Sequence, residues 1–289
     1  AVLRRRVTVE DGATLTLDLR LDPIDDLPSR GWYPGSTGAH VHGGGQLRAD
    51  LGALLDLAEA EGQQFTFFPY AHQDARVRDR ELWVFGDSAH PISRPNNLLP
   101  LGQEHRPPFH GHVVTVGLRE RMPSLFPVTV GYEGGAPGTL APSNTDVLEA
   151  AKRKGAMTGY VHAFAGENDP IREGLGLGKA FMVDAALGTV DVLEWAAAGR
   201  GSFVPWYAAL NNGLRVKAMG GEDTIANFAI SRLIGSVRTY AHCAGPLTPD
   251  CWWTAVREGR SFVTTGPLLG MTVDGISAGG EVQLAGAQT

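Results

Sequence analysis

Nine histidines punctuate the chain, and eight of them fall between positions 40 and 162. The sharpest grouping is His40-Val41-His42. On a strand, residues two apart point to one face, so both imidazoles would project to the same side. Neutral imidazoles converging on one point suit Zn²⁺ or a similar divalent ion. Two packed or hydrogen-bonded histidines in a Gly-rich stretch fit the triplet equally well, so the weight falls on the rest of the chain.

Glu104 lies in Gly102-Gln103-Glu104, and His110-Gly111-His112 opens an apolar run. His162 closes Gly159-Tyr160-Val161-His162, and Asp223 ends the turn Gly220-Gly221-Glu222-Asp223. His72 stands where a strand-end ligand or a proton donor could sit, or on an exposed loop. Arg238 and Tyr240, two apart on one strand face, could hold a substrate anion or an oxyanion, or form a structural pair. Asp184, Asp191 and Glu194 read as cap or ion-pair residues. Nucleophilic catalysis gains no support, because there is no G-x-S-x-G elbow and neither Cys243 nor Cys251 sits in a nucleophile motif. The two cysteines could form one bridge, but two small buried thiols are the expected state.

Short apolar runs alternating with helical patterns must position these residues. Strands are expected over 39–42, 65–70, 112–116, 157–161, 190–193, 216–219 and 237–240. Leu51, Leu54, Leu55 and Ala58 recur at helical spacing behind Asp50, and Val147, Leu148 and Ala151 do so behind Ser143, with Gly155 as a stop. A last helix starts near Thr248-Pro249 and runs to Gly259. No dinucleotide fingerprint follows any strand, and Gly174 to Gly178 reads as a loop, so a closed or nearly closed, mainly parallel barrel is favoured over an open sheet. Residues beyond strand C-termini of such a barrel converge on one face. His40, His42, His162 and Asp223 fit that rule. His112 precedes its strand and joins only through a local irregularity; His110 is the alternative.

At 289 residues, 43% hydrophobic and 19% charged, the chain can build one large α/β domain. Residues 4–21 alternate about Glu10-Asp11-Gly12 as a β-hairpin, and the tail is strand-like. The expected division is a β extension over 1–25, a barrel over 26–268 and a β stub over 269–289, with flanking β domains of a longer chain as neighbours. A net charge of −6 argues against a nucleic-acid partner, and no apolar run reaches the ~18 residues of a membrane span. A small-molecule substrate is expected.

The order H-x-H, G-x-E, Gly-His opening a strand, a strand-ending His, and a Gly-rich turn into Asp resembles the PHP (polymerase and histidinol phosphatase) metallohydrolases. Within them the chain looks most like the carbaryl-hydrolase-like (CehA/McbA) branch. Supporting stretches are Gly31-Trp32-Tyr33, Gly111-His112-Val113-Val114, Trp206 to Asn211, Gly235 to Tyr240 and Gly259 to Thr264. The resemblance spans roughly residues 30–275. It implies a distorted (β/α)7 TIM-like barrel with a metal cluster at the strand C-termini. His40, His42, Glu104 and Asp223 would hold one ion; Glu104, His112 and His162 would hold a second, with Glu104 bridging.

The chain departs from that pattern in three places. Ser36-Thr37-Gly38-Ala39 replaces the acid before H-x-H, the closing D-x-H reads Asp223-Thr224-Ile225, and no histidine closely follows His42. One or two divalent ions are therefore expected in place of three, zinc first, with manganese or iron accepting the same ligands. The resemblance implies a hydrolase that uses a metal-activated water on an ester, carbamate or amide bond. On chemical grounds Asp223, a ligand with a free oxygen, is expected to take the water's proton, His72 or an uncommitted histidine to protonate the leaving group, and Arg238 to orient or stabilise the oxyanion. A phosphoesterase of the same superfamily and a non-catalytic metal- or ligand-binding module are the alternatives. Relatives in that branch are often exported.

Overall fold

The computed structural model describes residues 3–20, 24–43, 47–73, 76–77, 89–106, 110–118, 143–164, 169–196, 200–225 and 232–283. The elements, in chain order, are β1 (Trp32–Ser36), β2 (His42–Gly43), β3 (Leu47–Arg48), α1 (Leu51–Ala60), β4 (Phe65–Thr66), β5 (Phe68–Gln73), β6 (Arg76–Val77), β7 (Leu101–His105) and β8 (Val113–Val116). They continue with α2 (Asn144–Arg153), β9 (Met157–Tyr160), α3 (Pro170–Glu173), α4 (Phe181–Ala186), β10 (Val192–Ala196), α5 (Arg200–Asn211), β11 (Lys217–Gly221), β12 (Arg238–His242), α6 (Pro249–Glu258), β13 (Ser261–Thr264), β14 (Thr272–Val273) and β15 (Ile276–Ser277).

The helices begin where their caps place them. Asp50 accepts from Ala53 N at 2.8 Å, Ser143 and Asp146 form a capping box, and Thr248 accepts from Cys251 N at 3.1 Å. α6 ends at Gly259, whose φ of 79° suits a residue without a Cβ. Its apolar face buries Trp252 and Trp253 against β4: Phe65 stacks on Trp252 at 4.1 Å, and Phe67 meets Trp253 edge-on at 4.9 Å.

Seven strands form one curled sheet in the order β11-β10-β9-β8-β7-β5-β6, and four form a second in the order β13-β12-β1-β4. β4 runs into β5 across Phe67, and Gly220 N at the other edge donates to Thr239 Oγ1 of β12 at 2.7 Å, so the two sheets bend toward one another as a half-barrel. A full ring of parallel strands is not formed among the described residues. β8 runs antiparallel to both β7 and β9, and β12 runs antiparallel to β1 and β13. The sequence pattern shows where strands are, but carries little information on their direction.

Two further expectations change. Residues 3–20 turn at Asp11-Gly12, where Ala13 N donates to Glu10 O at 3.0 Å, but no ladder joins the two arms. An isolated pair of strands with no covered face has too little to bury. Cys243 and Cys251 form a disulfide in place of two thiols, because the first turn of α6 returns to the end of β12 and sets their Cα atoms 5.8 Å apart.

Candidate metal centre

β7, β8 and β9 bring the principal residues together. Because β8 is antiparallel, its first residue lies level with the last residues of its neighbours: Val113 faces His105 on one side and Tyr160 on the other. His112, just before β8, therefore lies at the same sheet edge as Glu104 near the end of β7 and His162 just past β9. No irregularity is needed; reversed direction does the same job.

Glu104 Oε1 lies 3.0 Å from His162 Nε2 and 3.6 Å from His112 Nδ1. The two imidazole nitrogens are 3.3 Å apart, and the three donor atoms lie within 4.8 Å of one another. A carboxylate oxygen and two imidazole nitrogens so arranged fit a divalent cation, so the residues present suit the implied metal. His162 and Asp223 both adopt positive φ, 34° and 50°, which costs an L-residue roughly 1–2 kcal/mol. His162 N donates to Glu194 Oε1 at 3.1 Å, and the bond from Thr224 N to Gly38 O at 2.9 Å holds the Asp223 turn against the H-x-H segment.

The other oxygen of Glu104 faces an arginine. Arg106 Nη2 lies 2.7 Å from Glu104 Oε2, 3.2 Å from His40 Nε2 and 3.9 Å from Asp223 Oδ1. His40 Nε2 is itself 3.5 Å from both Glu104 Oε2 and Asp223 Oδ1. Burial by itself would raise the pKa of Glu104; the Arg106 guanidinium, with His162 and His40, reverses this and holds it well below the usual carboxylate range. Burial and the neighbouring His162 push His112 down to about 3. Burial also opposes the charged form of His162, but its bond to Glu104 raises it overall.

Beneath the cluster lie buried supports. Asn144, at the start of α2, donates to the carbonyls of His110 (3.3 Å) and Gly111 (3.0 Å) and to Tyr160 Oη (3.0 Å), holding the turn that presents His112. Tyr160 Oη donates in turn to Asp184 at 2.5 Å. The Ser36-Thr37 stretch supplies hydroxyls to glutamates from other strands. Ser36 donates to Glu222 at 2.7 Å and Thr37 to Glu194 at 2.9 Å. Burial raises Glu194 to about 7 and Glu222 to about 8. A Cβ at Gly221 would stand 2.6 Å from both Glu194 Oε2 and Thr37 Oγ1, so the Gly-rich turn leaves room for this floor.

Of the residues singled out from sequence, Glu104, His112 and His162 converge, with His40 and Asp223 on the far side of Glu104. His112, not His110, joins the cluster. The backbones of His42 and His72 lie on β2 and β5; their side chains lie outside the described residues. Arg238 is engaged elsewhere, its Nε donating to Gly235 O at 2.8 Å and its Nη1 to Glu61 O at 3.2 Å. Asp191 pairs with Lys152 at 2.6 Å as an ion-pair residue, whereas Glu194 buttresses the site. Arg106 is the residue sequence reading misses, although the i, i+2 spacing that pairs His40 with His42 also pairs Glu104 with Arg106.

No family model and no curated protein sequence matches the chain. Solved structures do match in fold. PsfC from Pseudomonas syringae PB-5123 superposes with a TM-score of 0.55 at 16% identity, covering 82% of this chain and 92% of that one. A two-domain protein from Bacteroides vulgatus, containing a predicted PHP-like metal-dependent phosphoesterase, gives 0.51 at 14% identity over 88% of this chain and 69% of that one. Endonuclease Q in complex with a 27-mer duplex bearing an abasic lesion gives 0.51 at 14% identity over 79% of this chain and 56% of that one. At these identities the likeness is one of fold. It agrees with the fold that the PHP resemblance implies and does not support the carbaryl-hydrolase-like branch. It also overturns the exclusion of nucleic acid: a protein of similar fold takes duplex DNA at its active site, so a net charge of −6 does not rule that partner out. Among the described residues no helix is long and apolar enough to cross a membrane.

Proposed function

We propose that the chain is a metal-dependent hydrolase acting on a phosphoester. The observation that carries this is the convergence of Glu104, His112 and His162 at one sheet edge, with donor atoms 3.0 to 3.6 Å apart. A divalent ion held there would supply a coordinated water with a pKa lowered toward ~7 and polarise the scissile group. Zinc suits this donor set, and manganese or iron would accept it.

The chain's own residues divide the remaining work. Glu104 binds with one oxygen and keeps the other for Arg106. Asp223 is partly exposed, its side chain 39% accessible, and its charge acts on both His112 and His162, so its carboxylate can take a proton from the attacking water. Arg106 presents a permanent positive charge for an anionic oxygen, and this favours a phosphoryl group over a neutral ester, carbamate or amide. The leaving-group role remains with His72.

Two likenesses in fold support the bond class, one to a protein containing a predicted phosphoesterase and one to an endonuclease. The test is hydrolysis of bis-p-nitrophenyl phosphate, p-nitrophenyl phosphate, p-nitrophenyl acetate and a duplex with an abasic site, by chelated and by zinc- or manganese-reconstituted protein. Metal-restored turnover of a phosphoester is expected. Turnover of the acetate alone would move the assignment to carboxylic esters, and no turnover of any with metal bound would favour a binding module.

A further inference from the structure

We infer that the guanidinium of Arg106 takes the place of a second metal ion, so that the centre binds one ion and carries a built-in cation beside it. This rests on the hydrolase reading for the first ion and departs from the two-ion cluster implied by the sequence resemblance. His40 Nε2, Glu104 Oε2 and Asp223 Oδ1 form a donor set of the right chemistry for a second ion, with His40 Nε2 3.5 Å from each carboxylate oxygen. Arg106 Nη2 already stands among them, 2.7, 3.2 and 3.9 Å away.

Two properties of arginine make the positions exclusive. A guanidinium only donates, so in the neutral tautomer protonated at Nδ1 the His40 Nε2 lone pair accepts from Arg106, and a metal would need that same lone pair. Bound at ~2.0–2.2 Å from its ligands, an ion would also be pressed against Nη2. Arginine does not lose its proton in proteins, so this would set two cations in contact in a site where Glu104 and His40 are all but buried. Arg106 follows directly on the strand that carries Glu104, and its side chain is 16% exposed.

The chemistry of the pair differs from that of two metals. Arg106 cannot lower the pKa of a water by coordination. It can hold an anionic substrate oxygen beside the single ion, and it compensates the charge of Glu104 whether or not the ion is present.

The test is native mass spectrometry of the whole chain, reconstituted with zinc and separately with manganese, beside Arg106→Gln and Arg106→Ala, with circular dichroism to show that the variants are folded. The expected result is one ion per wild-type chain and two per chain in the folded variants. Two ions in the wild-type chain would overturn the inference and leave the hydrolase reading standing. A folded variant that still takes one ion would also overturn it. No ion in any form would withdraw the hydrolase reading, and this inference with it.

Discussion

Glu104 carries Arg106 on one oxygen and His162 on the other. Removing its charge leaves the largely buried Arg106 guanidinium without its carboxylate, so Glu104→Gln is expected to lose metal binding and about 3 kcal/mol of stability, read by chemical denaturation and metal content. Asp223 differs, since it is partly exposed and outside the Glu104–His112–His162 set. Asp223→Asn should keep one ion and lower kcat by roughly 10²–10⁴. A third expectation concerns Glu222, which burial raises from 4.5 to about 8. A carboxyl whose pKa is higher folded than unfolded binds more protons in the folded state between those two values. The stability it contributes is therefore present at low pH and lost as pH rises through about 8. The melting temperature should fall from pH 6 to pH 9, and Glu222→Gln should reduce that slope, most above pH 7 where Glu194 contributes least; an unchanged slope would place the cause elsewhere. Glu104, His112 and His162 are legible in the sequence through the order of motifs shared with the PHP proteins; spacing alone leaves His112 outside the strand-end set. Arg106 is not, because a charged residue next to a strand reads as a solvated edge until a buried carboxylate is known to face it.

The elements explain why some placements could not be read. The expected strands appear within a few residues of their apolar runs, except that 39–42 forms only an isolated bridge at Ala39 ahead of the two-residue β2, and α1, α2 and α6 begin at the caps that their sequences announce. Direction was illegible: Val113–Val116 has the same pattern in a parallel or an antiparallel strand, and only the ladders to β7 and β9 show which end of it meets the site. α2 contributes through Asn144, whose amide holds the carbonyls of His110 and Gly111. Asn144→Ala should leave the fold intact yet weaken metal binding by about 10- to 100-fold, because His112 loses the support that orients it. Metal titration beside circular dichroism separates those effects. The disulfide closes a loop with a sequence separation of 8 at the start of α6. Cys251→Ser should lower stability by about 2 kcal/mol, seen as an earlier denaturant midpoint, without altering metal content.

At the scale of the whole molecule, the curled sheet places buried acids beneath a cationic cluster and leaves Asp223 at its rim. Such a site should couple metal to folding: an ion that binds only the folded chain stabilises it by ~2.7 kcal/mol at a hundred times its Kd. Chelator should therefore lower the melting temperature, and zinc or manganese should restore it. The proposed division between one ion and one arginine would suit a substrate carrying an anionic oxygen at the bond to be cut.

The most direct measurement is a crystal structure of the metal-reconstituted chain with anomalous data collected at the metal's absorption edge. One peak bounded by Glu104 Oε1, His112 Nδ1 and His162 Nε2, with Arg106 still on Glu104 Oε2, is the expected result. No peak among those three atoms under full reconstitution would contradict the metal centre and the hydrolase built on it.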